Sequence, residues 1–127
     1  MFFILDTLDY LVKGGRAGKA TGLAAAMLNI KPILTFNDEG TIEPFKKVKG
    51  LKKAMSELAT YVAEESRGGR LRVAILHACA PDLAQELVAA LEEAGADFEL
   101  DSIGLVGAVI GTYAGPRAVG LGYYPVG

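Results

Sequence analysis

Only one cysteine, Cys79, occurs in the 127 residues, so no internal disulfide can form, and this usage fits a reducing compartment. Histidine is as scarce, with His77 alone. One His, one Cys and no clustered carboxylates give no zinc signature. A Ser–His–acid triad would rest on His77 alone, with no G-x-S-x-G elbow to present a serine. No apolar run reaches the roughly 18 residues of a membrane-spanning helix, so no integral membrane segment is expected. The opening MFFILDTLDY has no basic region ahead of its short apolar run and does not read as a signal peptide. An excess of one charge is also missing. The 13 Lys and Arg stand against 15 Asp and Glu, net −2, too balanced for a dedicated nucleic-acid binder. Together these absences point to a cytoplasmic localisation.

What is present is apolar and compact. Hydrophobic residues make up 51% and charged residues 22%, and the mean hydropathy is +0.31, which excludes a disordered chain. The length is that of one domain, with a compact radius of gyration of about 14 Å. Glycine is over-represented, at 16 residues, and 11 of these lie in two end segments: Gly14, Gly15, Gly18 and Gly22, then seven from Gly104 onward. Such segments need unusual dihedrals or close backbone approach, and they are where function is sought.

Along the chain, Phe2–Leu5 reads as a strand. Asp6 or Thr7 can cap a helix through Lys13, and a second helix is predicted from about Lys19 to Leu28. Ile30–Phe36 reads as a buried strand and Asn37-Asp38-Glu39-Gly40 as a hairpin turn, with Thr41–Val48 returning. Pro44 has no N–H to donate, so that strand belongs at an edge or a bulge. Leu51, Met55, Leu58 and Val62 recur at helical spacing within about Gly50–Ser66. Arg70–His77 is a strand with Leu71, Val73, Ile75 and His77 on one face. A helix opens at Pro81 or Asp82, carries Leu83, Leu87, Leu91 and Ala94 on one stripe, and stops at Gly95. Phe98–Leu100 reads as a short strand, Leu105–Ile110 as a helix and Ala118–Tyr124 as a last strand. The expected fold is a single two-layer α/β (α+β) domain with a mixed, mostly antiparallel sheet of about six strands.

The candidate constellations are weak taken singly. His77 and Cys79 sit two apart and would share a face on a continuing strand. That permits a Cys–His dyad, but the apolar run Leu76-His77-Ala78-Cys79-Ala80 favours a core thiol and a hydrogen-bonded histidine. Gly18-Lys19 lacks the spacing of a phosphate-binding loop. Five lysines fall within Lys46–Lys53. They form either a solvated helix start or, because lysine there opposes the helix dipole, a patch for an anionic partner. Arg16 lies among glycines, where a planar guanidinium can reach a carboxylate or phosphate. The segment Ile110-Gly111-Thr112-Tyr113-Ala114-Gly115-Pro116 brackets two hydroxyl side chains with glycines in the same way.

In combination these motifs resemble the second half of DegV-family proteins. The run Asp6-Thr7-Leu8-Asp9-Tyr10-Leu11-Val12-Lys13-Gly14-Gly15-Arg16 is similar to its opening, and Leu28-Asn29-Ile30-Lys31-Pro32-Ile33-Leu34 to its characteristic Leu-Asn-Ile-Lys-Pro stretch. The basic cluster, the Ile75-Leu76-His77 strand and the Ile110-Gly111-Thr112 turn follow in family order. The resemblance implies a binding protein for a long-chain fatty acid, without catalytic activity or cofactor. The acyl tail would be buried in this domain, and the carboxylate would lie at a cleft with a first half that these residues 1–127 do not include. Some members present the acid to a fatty acid kinase. Arg16 takes the Gly-Gly-Arg position. The family's Gly-Thr-His-Thr-Gly-Pro-Gly turn reads Gly111-Thr112-Tyr113-Ala114-Gly115-Pro116-Arg117, with Tyr113 in place of histidine and Arg117 in place of glycine. The expected ligand-binding residues are therefore Arg16, Thr112 and Tyr113, with no metal. The isolated chain is expected to form homo-oligomers. The alternative is a non-catalytic, self-associating interaction module without bound lipid.

Overall fold

The structure, a computed structural model, describes residues 1–5, 15, 18, 30–105 and 117–126. Its elements run β1 (Phe2–Ile4), β2 (Ile33–Phe36), β3 (Ile42–Lys46), α1 (Leu51–Glu65), a 3₁₀ turn (Ser66–Gly68), β4 (Leu71–His77), α2 (Pro81–Glu93), β5 (Phe98–Leu105) and β6 (Val119–Pro125). The strands form one six-stranded sheet in the order β3-β2-β1-β6-β4-β5. Only β4 and β5 are parallel, as befits a pair joined by a helix; the other neighbours are antiparallel. The mixed, mostly antiparallel sheet expected from the sequence is the one observed.

Alternation along β4 decides which face is covered. Leu71, Val73, Ile75 and His77 are buried while Arg72, Ala74 and Leu76 between them are half-buried. The first set packs under α1 and α2, whose stripes supply Ala54, Met55, Leu58 and Val62 from one helix and Leu83, Leu87 and Leu91 from the other. Phe2, Ile4, Ile33, Val119 and Leu121 complete this core from the remaining strands. Each fully buried aliphatic side chain is worth roughly 1.5–3 kcal/mol. Ala94, expected on the α2 stripe, is exposed because the helix has already ended at Glu93.

The strand limits depart from expectation for identifiable reasons. The strand expected from Ile30 begins only at Ile33. Pro32 has no N–H, and the Lys31 N–H is drawn instead to the Val48 carbonyl at 2.7 Å. β3 is an edge strand, and its register with β2 shifts between Ile33 and Leu34, so Pro44 falls opposite Leu34 beside the irregularity. The Asn37 side chain holds the hairpin by accepting from the N–H groups of Glu39 and Thr41, at 3.0 and 2.9 Å. β5 is the main correction. It continues past Leu100 to Leu105, because β4 offers a parallel ladder along its whole length and a shift opposite Val73/Ala74 absorbs one residue. Leu105 therefore ends a strand and does not begin a helix. The helices expected before Leu28, and residues 106–110, lie outside the described residues.

Candidate functional site

The sheet's second face, away from α1 and α2, carries the features of interest. Leu5, Leu34, Ile42 and Ala118 are buried there, yet none belongs to the core beneath the helices. On β6, Val119 and Leu121 point into that core, so Gly120 and Gly122 turn to the second face. Their partners on β4 are Leu76 and Ala74, and the next partners on β5 are Gly104 and Ser102. Above them the strip continues to Ala78 and Ala118, joined by an N–H to carbonyl bond of 2.9 Å. The result is a band across three strands in which Leu76 is the one large side chain.

Its two central glycines differ in what they do. A Cβ at Gly120 would fall 2.7 Å from the Phe2 carbonyl oxygen and 2.8 Å from Phe3 Cβ, so glycine there lets β1 and β6 close. A Cβ at Gly122 would meet nothing within 4 Å among the described residues, so a side chain is not excluded there as it is at Gly120. One end of the strip is polar. Arg72 pairs across to Tyr124 on β6 and Glu99 on β5. Its guanidinium donates from Nε to Glu99 Oε1 at 2.7 Å, brings Nη2 to 2.6 Å from the same oxygen, and reaches the Tyr124 hydroxyl at 3.4 Å. Sequence reasoning missed this row. The alternation Gly120-x-Gly122 inside a strand was the available signal for the strip, whereas the row depends on register.

The sequence-predicted site residues Arg16, Thr112 and Tyr113 all lie outside the described residues. Gly18, at φ 54°, sits against the start of β3. A Cβ on it would lie 2.5 Å from the Ile42 carbonyl oxygen and 2.7 Å from Thr41 Cγ2, so only glycine fits.

His77 and Cys79 do not form a dyad. β4 ends at His77, and Cys79 adopts φ 53° and is exposed, which corrects the expected core thiol. His77 is buried, as expected, and its Nδ1 accepts the Ala80 N–H at 3.1 Å at the start of α2. That bond places the imidazole proton on Nε2 and leaves no free acceptor to serve as a base toward the thiol. Among the described residues no group of His, Cys, Asp and Glu could hold a metal ion, and no helix is long and apolar enough to cross a membrane.

The lysine cluster divides. Lys46 bonds Glu57 at 2.8 Å and holds that carboxyl below its usual range. Lys47, Lys49, Lys52 and Lys53 are exposed around the start of α1, which begins after Gly50 with no side-chain cap and no acidic residue in its first turn. Under α1 lies an aromatic group: Phe2 contacts Phe45, Tyr61 and Tyr123 at centroid distances of 4.8, 5.3 and 6.2 Å. Burial, with Tyr61 and Glu65 nearby, pushes the Tyr123 phenol up.

Comparison with known proteins agrees with the fold. A family model described as "Uncharacterised protein, DegV family" matches residues 1–126. The DegV domain-containing protein spr1415 of Streptococcus pneumoniae is 42% identical over 125 residues, covering 98% of this chain and 44% of that protein. The chain thus spans less than half the length of that relative. Among solved structures, the fatty acid binding DegV family protein SAG1342 from Streptococcus agalactiae is 39% identical with a TM-score of 0.87, over 99% of this chain and 44% of that one. A DegV family protein from Eubacterium eligens, loaded with heptadecanoic acid, is 25% identical with a TM-score of 0.74, over 99% and 45%. With the match running along nearly every residue and the fold shared, the chain belongs to the DegV family.

Proposed function

We propose that this chain binds a long-chain fatty acid, with the acyl tail laid along the strip of small residues on the second face of the sheet. The observation that carries the reading is the row at Gly122 and Ala74, where no described atom stands within 4 Å of a Cβ at Gly122, on strands whose Leu71, Val73, Ile75, Val119 and Leu121 are buried on the other face. Fatty acids bound by relatives of the same fold support it. An acyl chain of about 14 methylenes gains roughly 11 kcal/mol on burial before the costs of ordering, so the tail supplies most of the affinity. The headgroup then fixes orientation. Arg16, Thr112 and Tyr113 are assigned to the carboxylate: a guanidinium can take both oxygens, and two hydroxyls can each donate.

In this reading the domain is the C-terminal, lipid-binding part of a DegV protein and works as a cytoplasmic carrier. It performs no chemistry itself and presents the carboxylate to a fatty acid kinase. The exposed lysines beside α1 suit the docking of an acidic partner surface.

Native mass spectrometry of the purified chain, before and after delipidation and reloading with heptadecanoic acid, tests the proposal. A co-purifying mass in the fatty-acid range, restored on reloading, is expected. Bound acid at 100 times its dissociation constant should also stabilise the fold by about 2.7 kcal/mol. A chain that stays free of ligand at saturating acid, with an unshifted melting temperature, defeats the reading.

A further inference from the structure

We propose that Arg72, locked to Glu99 and flanked by Tyr124, is the stop that limits how long an acyl chain this domain accepts. The inference rests on the fatty-acid reading above and adds to it a residue that sets specificity.

The argument starts from register. Along β4 the residues facing the strip are Leu76, Ala74 and Arg72, with Ala78 just beyond its end, and along β6 Gly120, Gly122 and Tyr124, with Ala118 just ahead of its start. Three two-residue steps separate the first of these rows from the last, about 20 Å at the usual strand rise. The side chains are small or apolar down to the Ala74–Gly122 row. At the next row the floor rises abruptly into a guanidinium, a carboxylate and a phenol. The guanidinium carbon also lies 5.8 Å from the Tyr124 ring centroid, so the row is filled across its width and not only at its centre.

Methylenes advancing into this row would have to strip water from the ion pair, which is half in solvent, with both side chains near 38–39% exposed. Desolvating charge is far costlier than the gain from one more buried methylene. Chains that end at the Ala74–Gly122 row therefore keep the full benefit of the strip, and longer ones lose it. Arg72 is also poorly suited to the opposite role of anchoring the fatty-acid carboxylate, because Glu99 already occupies its Nε and Nη2 donors at 2.7 and 2.6 Å.

The test is a chain-length series of saturated fatty acids, with dissociation constants measured on the delipidated chain and on Arg72→Ala/Tyr124→Ala. For the wild type, affinity should climb by roughly fourfold per added methylene, the equivalent of about 0.8 kcal/mol, and then turn over. In the double variant the turnover should move to longer acids while the shorter acids keep their affinity. Lys46→Ala breaks an exposed pair on the helix-covered side and should leave the optimum in place. Arg72→Ala alone should shift the optimum in the same direction and serves if the double variant does not fold. A wild-type chain that binds no acid overturns the fatty-acid reading and this inference with it. A binding wild type whose folded variants keep the same optimum overturns the inference alone. Loss of every acid in a folded Arg72→Ala variant also overturns it, since Arg72 would then hold the carboxylate.

Discussion

Arg117 donates from Nη1 and Nη2 to the two carboxylate oxygens of Asp82, at 3.0 and 2.9 Å, and so ties the residue ahead of β6 to the first turn of α2. The pair holds the Asp82 carboxyl below its ordinary value of 3.8. A carboxyl depressed in the folded state contributes stability above its unfolded pKa, and that contribution disappears as pH falls through the folded value. Asp82→Asn should therefore melt below the wild type at neutral pH, with the two melting temperatures converging as the pH drops through 3.8 and beyond. A constant gap across that range would show that the variant acts through packing and not through charge.

Gly120 and Gly122 give opposite expectations although they are two residues apart. Gly120→Ala forces a methyl group against Phe3 and the Phe2 carbonyl and should destabilise by about 1–3 kcal/mol, as overpacking of this kind usually does. Gly122→Ala meets open space and should leave stability within about 0.5 kcal/mol. Gly122→Leu should spare the fold equally but obstruct the strip, weakening fatty-acid binding at least tenfold. Urea melts and a binding isotherm for each variant decide the matter.

Arg16→Ala should weaken fatty-acid binding by roughly 10- to 100-fold, the usual worth of a hydrogen bond to a charged group, with an unchanged melting temperature. A large fall in melting temperature with unaltered affinity would make Arg16 structural.

Lys49→Glu/Lys52→Glu should separate stability from docking. Acidic side chains near the start of α1 suit the helix dipole and should stabilise by about 0.3–1 kcal/mol each. The same change should weaken the complex with a fatty acid kinase and flatten its dependence on salt. Kinase binding that ignores both substitutions would reduce the lysines to a solvated surface.

The elements whose one face is buried were legible from the residues alone. The alternation in Leu71–His77 and the stripe Leu51, Met55, Leu58 and Val62 are direct consequences of a sheet covered by helices on one side. Pro44 likewise announced an edge. The second half of β5 was not legible, because Ser102 and Gly104 have little preference for strand and are held there by Ala74 and Leu76 of β4. The exposure of Cys79 was hidden for a different reason: its positive φ is imposed by the short turn between β4 and α2. Excess glycine does not tell its uses apart. Gly18 and Gly120 are places where a side chain would collide, while a Cβ at Gly122 meets none of the described residues. The row Glu99–Arg72–Tyr124 brings together residues up to 52 positions apart, through a ladder that skips one residue of β5, and no local pattern encodes that.

β1 is only three residues long, yet it lies in the middle of the sheet, bonded to β2 on one side and to β6 on the other. Phe2 faces Thr35 across one ladder and Leu121 across the other. The β2–β3 hairpin and the β4–α2–β5 unit can each form from nearby sequence, and within the described sheet they are linked through β1 and β6. The β1–β6 ladder pairs residues more than a hundred positions apart, Phe2 with Leu121. Such long-range closure slows folding and lengthens the time for which apolar strand edges are exposed. The short central strand thus takes part in the long-range closure on which the continuity of the sheet depends.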